Sequence, residues 1–296
     1  MQSNRTGTGD GVAAIEARGL GRAFRVGLGR RRQHVLESVD IAIAPGDTLG
    51  LVGANGSGKT TLLRLLAGVD RPTSGSALVH GVPPTDRSVR QRLAFLPDGS
   101  PFPDELSAPA VLDLVGALAG LRRAERRARA AGLLDEVGLA AAGRAPLRTF
   151  SRGMLRRFGL AQVSLADPDV VLLDEPTAGL DAPGFDVLAR MLGRMRERGA
   201  TIVLASHVAS DLIEHCDVLA LLDRGRVARH GTPDELLGAP DQLELRVQGV
   251  ALDGAGGVPG DVLDAISRSG GTLVQAGPAR RPLVDLYRDV GSAARK

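Results

Sequence analysis

The chain contains short apolar runs that alternate with longer amphipathic segments. Continuous apolar runs at residues 48–52, 170–173 and 201–205 predict buried strands, because a strand covered on both faces needs no polar alternation. Residues 60–68 and 183–198 have the spacing of apolar positions that predicts helices. Strands that alternate with helices predict an α/β fold with a mainly parallel sheet.

The N-terminal part of the chain has a different pattern. Residues 13–26 and 35–43 predict two strands, and residues 27–34, which include three consecutive arginines, predict the loop between them. Residues 1–12 are polar and rich in Gly and Thr, so we expect them to be disordered and find no secretion signal in them.

Residues 104–148 are rich in Ala, Leu and Arg with helical spacing. Ser107 is expected to cap a first helix with Pro109 near its first turn, and residues 121–137 predict a second helix. Its arginines indicate a solvated face, with Glu125 and Arg129 paired, or alternatively a contact with a membrane partner or anionic lipid. Beyond residue 237 the pattern weakens, so residues 238–296 are expected to form a small appendage, with short helices at 260–269 and 282–290.

Composition narrows the class of protein. Hydrophobic residues make up 43% of the 296 positions but aromatic residues only 2%, so we expect a core of Leu, Val and Ala. The single cysteine, Cys216, excludes an internal disulfide, has no partner at metal-ligand spacing and is expected to be a small buried side chain. No apolar run reaches 18 residues, so the chain is not expected to span a bilayer by itself.

Lysine is almost absent, which makes one lysine informative. Of the 37 basic residues two are lysines and 35 are arginines, yet Lys59 lies in the segment G-x-x-x-x-G-K-T, followed by Thr61. In such a loop the backbone N–H groups and the lysine ammonium bind phosphates, and the threonine hydroxyl binds Mg²⁺. The sequence therefore predicts a site for a nucleoside triphosphate and Mg²⁺ formed by Gly53, Asn55, Gly56, Ser57, Gly58, Lys59, Thr60 and Thr61.

Two adjacent carboxylates follow the apolar strand at residues 170–173. Asp174 is predicted to hold Mg²⁺, and Glu175 to orient and deprotonate the attacking water. A solvated acidic turn would give the same local pattern, but a turn of that kind is a poor explanation in a chain that also has a phosphate-binding loop.

With these motifs in order, residues 13–237 resemble the nucleotide-binding subunit of ATP-binding-cassette (ABC) transporters. The resemblance implies a P-loop NTPase core of ABC type with an inserted helical subdomain at about residues 99–165. Ser151 and Gly153 resemble the family signature, and imply contact with a γ-phosphate held by the opposite subunit. Asp181 resembles the loop between the two sites of the dimer, and His207 the histidine that contacts the γ-phosphate.

Three positions leave room for alternatives. Phe24 lies where the family stacks an aromatic side chain on adenine, although a lone Phe is more often part of a core. Arg152 and Met154 replace the glycine and glutamine of the common signature, a variant that resembles exporters with separate membrane subunits. Residues 93–98 resemble the loop whose glutamine senses Mg²⁺ and the membrane partner, but this chain has Asp98, which is either a water-mediated Mg²⁺ ligand or an ordinary turn residue.

The resemblance implies an ATPase that energises an exporter. The expected partners are integral-membrane permease subunits and a second copy of the chain or a homologous ATPase subunit, with no nucleic acid, at the cytoplasmic face of the cell membrane. The alternative is a soluble ABC ATPase that acts on the ribosome or DNA. A phosphate-loop kinase or GTPase is a weaker alternative, because it would not explain Ser151, Asp181 and His207 together.

Overall fold

The structure is a computed structural model, which describes residues 12–26, 31–99, 102–142, 144–207, 213–237, 242–248 and 272–279, the last two ranges by their backbone alone. The chain divides into two compact units, Met1–Gly231 and Thr232–Lys296. Each unit is described by itself.

A six-stranded sheet forms the centre of the first unit. Its strands, in spatial order, are β5 (Leu93–Leu96), β6 (Val170–Asp174), β7 (Thr201–Ser206), β3 (Thr48–Val52), β8 (Val218–Asp223) and β9 (Arg226–Gly231). The first five are mutually parallel, and β9 runs antiparallel to β8. Every residue of β3, β6 and β7 is buried, which confirms the α/β class and the buried strands predicted from continuous apolar runs.

A second, antiparallel sheet has the order β2 (Arg31–Ile43), β1 (Ile15–Val26) and β4 (Ser74–Val79). The prediction that residues 27–34 form a loop was wrong for its second half, because β2 begins at Arg31 and pairs with β1 through Arg32, Gln33 and His34. The interpretation of residues 93–98 as a loop was likewise wrong at its start. Residues 93–96 pair with β6, and the loop begins only at Pro97, which has no N–H to continue the ladder.

Helix α1 (Lys59–Leu66) joins the cores of the two sheets. Its buried leucines belong to one hydrophobic cluster with Leu20 and Val39 of the antiparallel sheet and Leu51 and Val203 of the parallel sheet. Full burial of one leucine stabilises a fold by about 1.5–3 kcal/mol, so these contacts fix the helix, and the loop before it, firmly in place.

The other helices in the described part of this unit are α2 (Arg87–Arg90), α3 (Ala108–Leu118), α4 (Arg123–Glu136), α5 (Arg152–Ser164) and α6 (Ala182–Glu197), with a 3-10 turn at Leu147–Thr149. Ser107 occupies the N-cap position of α3 as predicted, although its side chain makes no capping hydrogen bond. The backbone of Ser107 instead forms an isolated bridge with Pro146. The predicted Glu125–Arg129 pair on α4 is present at 2.8 Å.

Cys216 is buried as predicted, and burial raises the pKa of its thiol to about 12. The second unit contains the short helix α7 (Pro233–Leu237) and an antiparallel pair of strands, β10 (Gln242–Gln248) and β11 (Thr272–Ala279), which the sequence analysis did not predict. The helices expected at 260–269 and 282–290 lie outside the described residues. Within the described ranges, no helix has the length and apolar character needed to cross a membrane.

Candidate functional site

The phosphate-binding loop connects the end of β3 to the start of α1. Gly58 has φ +110° immediately before the helix, a conformation that a residue with a Cβ rarely adopts. A Cβ on Gly53 would lie 2.4 Å from Ser57 Oγ and 2.6 Å from the Leu222 carbonyl oxygen, so this position has room only for glycine. The first turn of α1 directs its free backbone N–H groups towards the end of the sheet, where an anion binds favourably.

Lys59 is only 6% exposed. Its Nζ donates to the Gly53 carbonyl oxygen at 2.7 Å and to the Ala54 carbonyl oxygen at 3.3 Å. It also lies 3.7 Å from Glu175 Oε1. The carbonyl oxygens of the loop therefore hold the lysine ammonium group beside the Glu175 carboxylate, which follows β6.

Asp174 is fully buried at the end of β6, and neither of its carboxylate oxygens has a hydrogen-bond partner among the described residues. Burial raises the pKa of Asp174, and the nearby Thr60 hydroxyl opposes this shift in part without meeting the geometry of a hydrogen bond. Two unpartnered carboxylate oxygens in a buried position are costly, and they are the ligands that Mg²⁺ prefers. A bound cation would remove this cost.

Glu175, the next residue, has φ +49°, so the backbone turns sharply where the strand ends. Its N–H still donates to the Ala205 carbonyl oxygen at 2.8 Å, which extends the pairing of β6 with β7 by one residue. At the end of β7, His207 Nδ1 lies 2.8 Å from Glu175 Oε2, and the Ser206 hydroxyl lies 3.3 Å from the same oxygen. The adjacent strands thus fix the Glu175 carboxylate from one side.

Asp98 lies in the loop after β5, where Arg156 of α5 donates to its Oδ1 at 3.0 Å. The sequence analysis did not single out Arg156, which is only 4% exposed and also donates to the Pro97 and Asp174 carbonyl oxygens. No spacing rule identifies a buried arginine within a helix, since only the packing of α5 against the sheet shows that this arginine faces inwards.

These elements enclose a cleft of about 310 Å³. Nine residues predicted for the site line it: Asn55, Gly56, Gly58, Lys59, Thr60, Thr61, Asp98, Glu175 and His207. Val35, Arg152 and Ala178, which were not predicted as site residues, line it as well. Gly53, Ser57 and Asp174 lie beneath its surface, where they shape the loop and the end of β6.

Four predicted residues lie elsewhere on the described part of the chain. Ser151 and Asp181 are helix caps: Ser151 Oγ accepts from the Met154 N–H at 3.2 Å, and Asp181 Oδ1 accepts from the Gly184 N–H at 3.0 Å. Gly153 lies beside the turn before Asp181, since a Cβ on it would be 3.0 Å from the Gly179 carbonyl oxygen. Phe24 is 38% exposed on β1, with the Arg22 guanidinium 4.6 Å from its ring centroid, so it is not a core residue.

A larger groove, of about 770 Å³, lies between α4, α5 and α6. Its charged side chains neutralise one another, because Arg129 and Arg198 both pair with Asp167 and Arg194 pairs with Glu136. Asp167, which lines this groove, has φ +49°, but no phosphate-binding loop lines the groove, and none of its carboxylates in the described ranges is buried without a hydrogen-bond partner. The smaller cleft at Lys59 is therefore the candidate site.

No group of three or more His, Cys, Asp or Glu side chains that could hold a metal ion occurs in the part of the chain that is described. A metal at Asp174 would accordingly need further ligands from a hydroxyl, water or phosphate, as Mg²⁺ at a nucleotide does. The donors present fit that mode of binding.

Known proteins are similar to this chain in sequence and in fold. The family described as ABC transporter matches residues 36–178. An uncharacterized ABC transporter ATP-binding protein of Synechocystis is 38% identical over 79% of this chain and 67% of its own length. Nod factor export ATP-binding protein I of Cupriavidus metallidurans is 34% identical over 69% of this chain and 68% of its own. The solved structure of an ATP-binding subunit of an ABC transporter is 28% identical, with a TM-score of 0.69 over 75% of this chain and 91% of the other.

The parallel sheet, phosphate loop and adjoining acidic pair define the molecule as an ATP-binding cassette with ATPase activity. The chain belongs to the ABC transporter family, as an ATP-binding subunit.

Proposed function

We propose that this chain is the ATP-hydrolysing subunit of an exporter whose permease subunits are separate chains. The observation on which the hydrolytic role rests is the convergence of Lys59, Glu175 and His207 on one cleft. The direction of transport is supported by the similarity to the Nod factor export protein and by the signature variant with Arg152 and Met154.

The chemistry follows from the positions of the side chains. Lys59 and the N–H groups of the loop bind the β- and γ-phosphates of ATP. Glu175 accepts a proton from the water that attacks the γ-phosphorus, and His207 holds the Glu175 carboxylate in place through its Oε2. Lys59 Nζ lies near the other Glu175 oxygen, Oε1, so the base and the phosphate-binding cation are fixed relative to each other.

The proposed metal is Mg²⁺, held by Asp174, the Thr60 hydroxyl and, through water, Asp98. The unpartnered oxygens of buried Asp174 are the observation that supports this assignment. When bound, Mg²⁺ neutralises charge that develops on the phosphate oxygens.

We further propose that two subunits close head-to-tail around two ATP molecules. Ser151 and Gly153, which do not line the cleft at Lys59 in the described part of the chain, would complete the site of the other subunit. Asp181 would connect the two sites, and Phe24, exposed beside Arg22, would stack on adenine. In this proposal residues 13–237 are the nucleotide-binding domain, with its helical subdomain at about 99–165, and residues 238–296 are an appendage.

The subunit would act at the cytoplasmic face of the cell membrane through its permease. ATP binding would favour the closed dimer and hydrolysis would release it, which is a two-state switch able to drive the permease.

The test is co-purification of tagged Glu175→Gln from mildly solubilised membranes with ATP present. The proposal predicts recovery of a stoichiometric multi-span protein, identified by mass spectrometry. The matched control is Lys59→Ala with Glu175→Gln, which should recover less of the closed complex because it cannot hold the phosphates. Recovery from the soluble fraction alone, or together with ribosomes or DNA, would contradict the exporter assignment and leave the ATPase activity intact.

A further inference from the structure

Arg156 is the most completely buried arginine of the described chain, and its guanidinium joins three separate segments. It donates to the Pro97 carbonyl oxygen at 3.2 Å, to the Asp174 carbonyl oxygen at 3.3 Å and to Asp98 Oδ1 at 3.0 Å. The loop after β5, the end of β6 and helix α5 therefore meet at one side chain. Every one of these acceptors lies next to the cleft at Lys59.

A buried cation of this kind needs an anionic partner, and Asp98 is the carboxylate that it contacts. Burial lowers the pKa of Arg156, and the charge of Asp98 opposes that shift. Asp98 itself is 49% exposed in its side chain and lines the cleft. The contact therefore fixes a carboxylate at the cleft surface by one of its two oxygens, Oδ1.

Helix α5 is a rigid support for this contact. A Cβ on Gly159 would lie 2.5 Å from Leu96 Cδ1, so the glycine allows α5 to pack directly on β5. At the preceding position of α5, the rings of Phe158 and Phe102 meet edge to face, with centroids 4.8 Å apart. The loop that carries Asp98 is thus attached to α5 both before and after Asp98.

The charge at this position also needs a counter-charge. A glutamine, which the family resemblance leads one to expect at position 98, would be neutral. Asp98 instead adds a third carboxylate near Asp174 and Glu175, and the pKa of Asp174, raised mainly by burial, is raised further by the charges of Glu175 and Asp98. Arg156 supplies a buried positive charge at the same place.

We propose that Arg156 is a positioning residue that holds Asp98 at the magnesium side of the ATP cleft and offsets its charge. The inference rests on the proposed Mg²⁺ site. It predicts that Arg156 acts on nucleotide binding through Mg²⁺ and through Asp98, and has little effect on the binding of nucleotide alone.

The experiment uses the full chain in a Glu175→Gln background, which prevents turnover. A fluorescent ATP analogue is titrated in EDTA and at increasing Mg²⁺ concentrations. For Arg156→Gln we expect the affinity for the analogue in EDTA to change by less than about twofold. The Mg²⁺ midpoint, which is the Mg²⁺ concentration that gives half of the full gain in affinity, should rise about tenfold. A factor of about ten is the effect of losing one charge-assisted hydrogen bond. Arg156→Lys, which keeps the charge, should shift the midpoint less.

A double-substitution cycle separates positioning from general packing. Once Asp98→Asn has removed the carboxylate, adding Arg156→Gln should move the Mg²⁺ midpoint by less than about twofold further, because the two residues act as a unit. The matched control is Arg157→Gln. Arg157 lies on the same helix but away from the cleft, and its side chain donates to the Val137 carbonyl oxygen at 2.6 Å. That control should leave the Mg²⁺ midpoint unchanged.

The proposal would be overturned in favour of a packing role if Arg156→Gln lost as much affinity in EDTA as in Mg²⁺. It would also be overturned if the effects of Arg156→Gln and Asp98→Asn on the Mg²⁺ midpoint were additive. If Arg156→Gln does not fold, as judged by its thermal melting curve, the same titration on Arg156→Lys decides, and an unchanged Mg²⁺ midpoint there would overturn it. A parent chain with no Mg²⁺ dependence at all would instead refute the proposed metal site, and this inference with it.

Discussion

His207 Nδ1 lies 2.8 Å from Glu175 Oε2, at the ends of two neighbouring parallel strands. Because a carboxylate only accepts hydrogen bonds, the His207 ring is the donor in this contact. The Ser206 hydroxyl, at 3.3 Å, donates to the same oxygen, so His207 is not the sole support of the carboxylate.

We predict that His207→Ala lowers the maximal ATPase rate by about 10²-fold, because the Glu175 carboxylate loses the contact that orients it as the base. ATP affinity should change little. Steady-state kinetics with a separate binding titration would measure both quantities. His34→Ala, at an exposed position on β2, should leave the rate unchanged. An equal fall in both variants would contradict the role assigned to His207.

Lys59→Arg tests whether the rare lysine is a chemical requirement. The site is buried, and Nζ already lies within 3.3 Å of two carbonyl oxygens, so a planar guanidinium does not fit where the compact ammonium lies. We predict that the substitution weakens ATP binding at least about tenfold, in an equilibrium titration. The control is Arg64→Lys on the same helix, 42% exposed and away from the cleft, which should bind ATP like the parent chain.

Asp174→Asn should stabilise the ligand-free chain. The substitution removes a buried negative charge that has no hydrogen-bond partner in the described structure, and an amide of the same size costs less to bury. We expect a gain of about 1 kcal/mol in the free energy of unfolding, together with loss of the added stability that Mg²⁺ and ATP give the parent chain. Denaturant unfolding would measure this gain, and a destabilised ligand-free variant would contradict the account of Asp174.

The Arg64–Asp70 pair gives the fold a defined pH dependence. Arg64 donates to both carboxylate oxygens of Asp70, at 2.8 and 3.2 Å, and this hydrogen bonding lowers the pKa of Asp70 in the folded chain. The stabilisation is therefore present above the unfolded pKa of about 3.9 and is lost as the pH falls through the lower folded pKa.

For Asp70→Asn we expect a loss of about 0.5–1 kcal/mol at pH 7, kept small because Arg64 is partly exposed and screened by solvent. The difference between the variant and the parent chain should shrink as the pH falls below about 4. Unfolding curves at several pH values would show this, and a difference independent of pH would refute the linkage.

Local chemistry made part of this molecule predictable from sequence. The short, continuous apolar runs at β3 and β6 favour buried strands, and the glycines and Lys59 between β3 and α1 have few alternative uses. Ser151 precedes an amphipathic run, where a hydroxyl satisfies a free N–H at the start of a helix, and in the structure its Oγ accepts from the Met154 N–H.

Other features depend on contacts between distant segments, which the spacing of apolar residues along the chain does not reveal. β5 is a strand because β6 lies beside it, and the arginines of β2 are in a strand because β1 continues opposite them. Arg156 looks like any other arginine in an arginine-rich chain, since only tertiary packing places it against Asp98 and Asp174. Strands β10 and β11 are separated by 23 residues, so no hairpin signal joins them.

The most direct test of the central claim is the ATPase rate of Glu175→Gln. The carboxylate is held between His207 and Lys59, and the amide keeps its size but accepts a proton poorly. We predict a fall of about 10²–10⁴-fold in the rate with ATP binding retained, while Glu125→Gln, at a partly exposed position on α4, hydrolyses ATP at the parent rate. Hydrolysis by Glu175→Gln at the parent rate would show that the base lies elsewhere and would contradict the account.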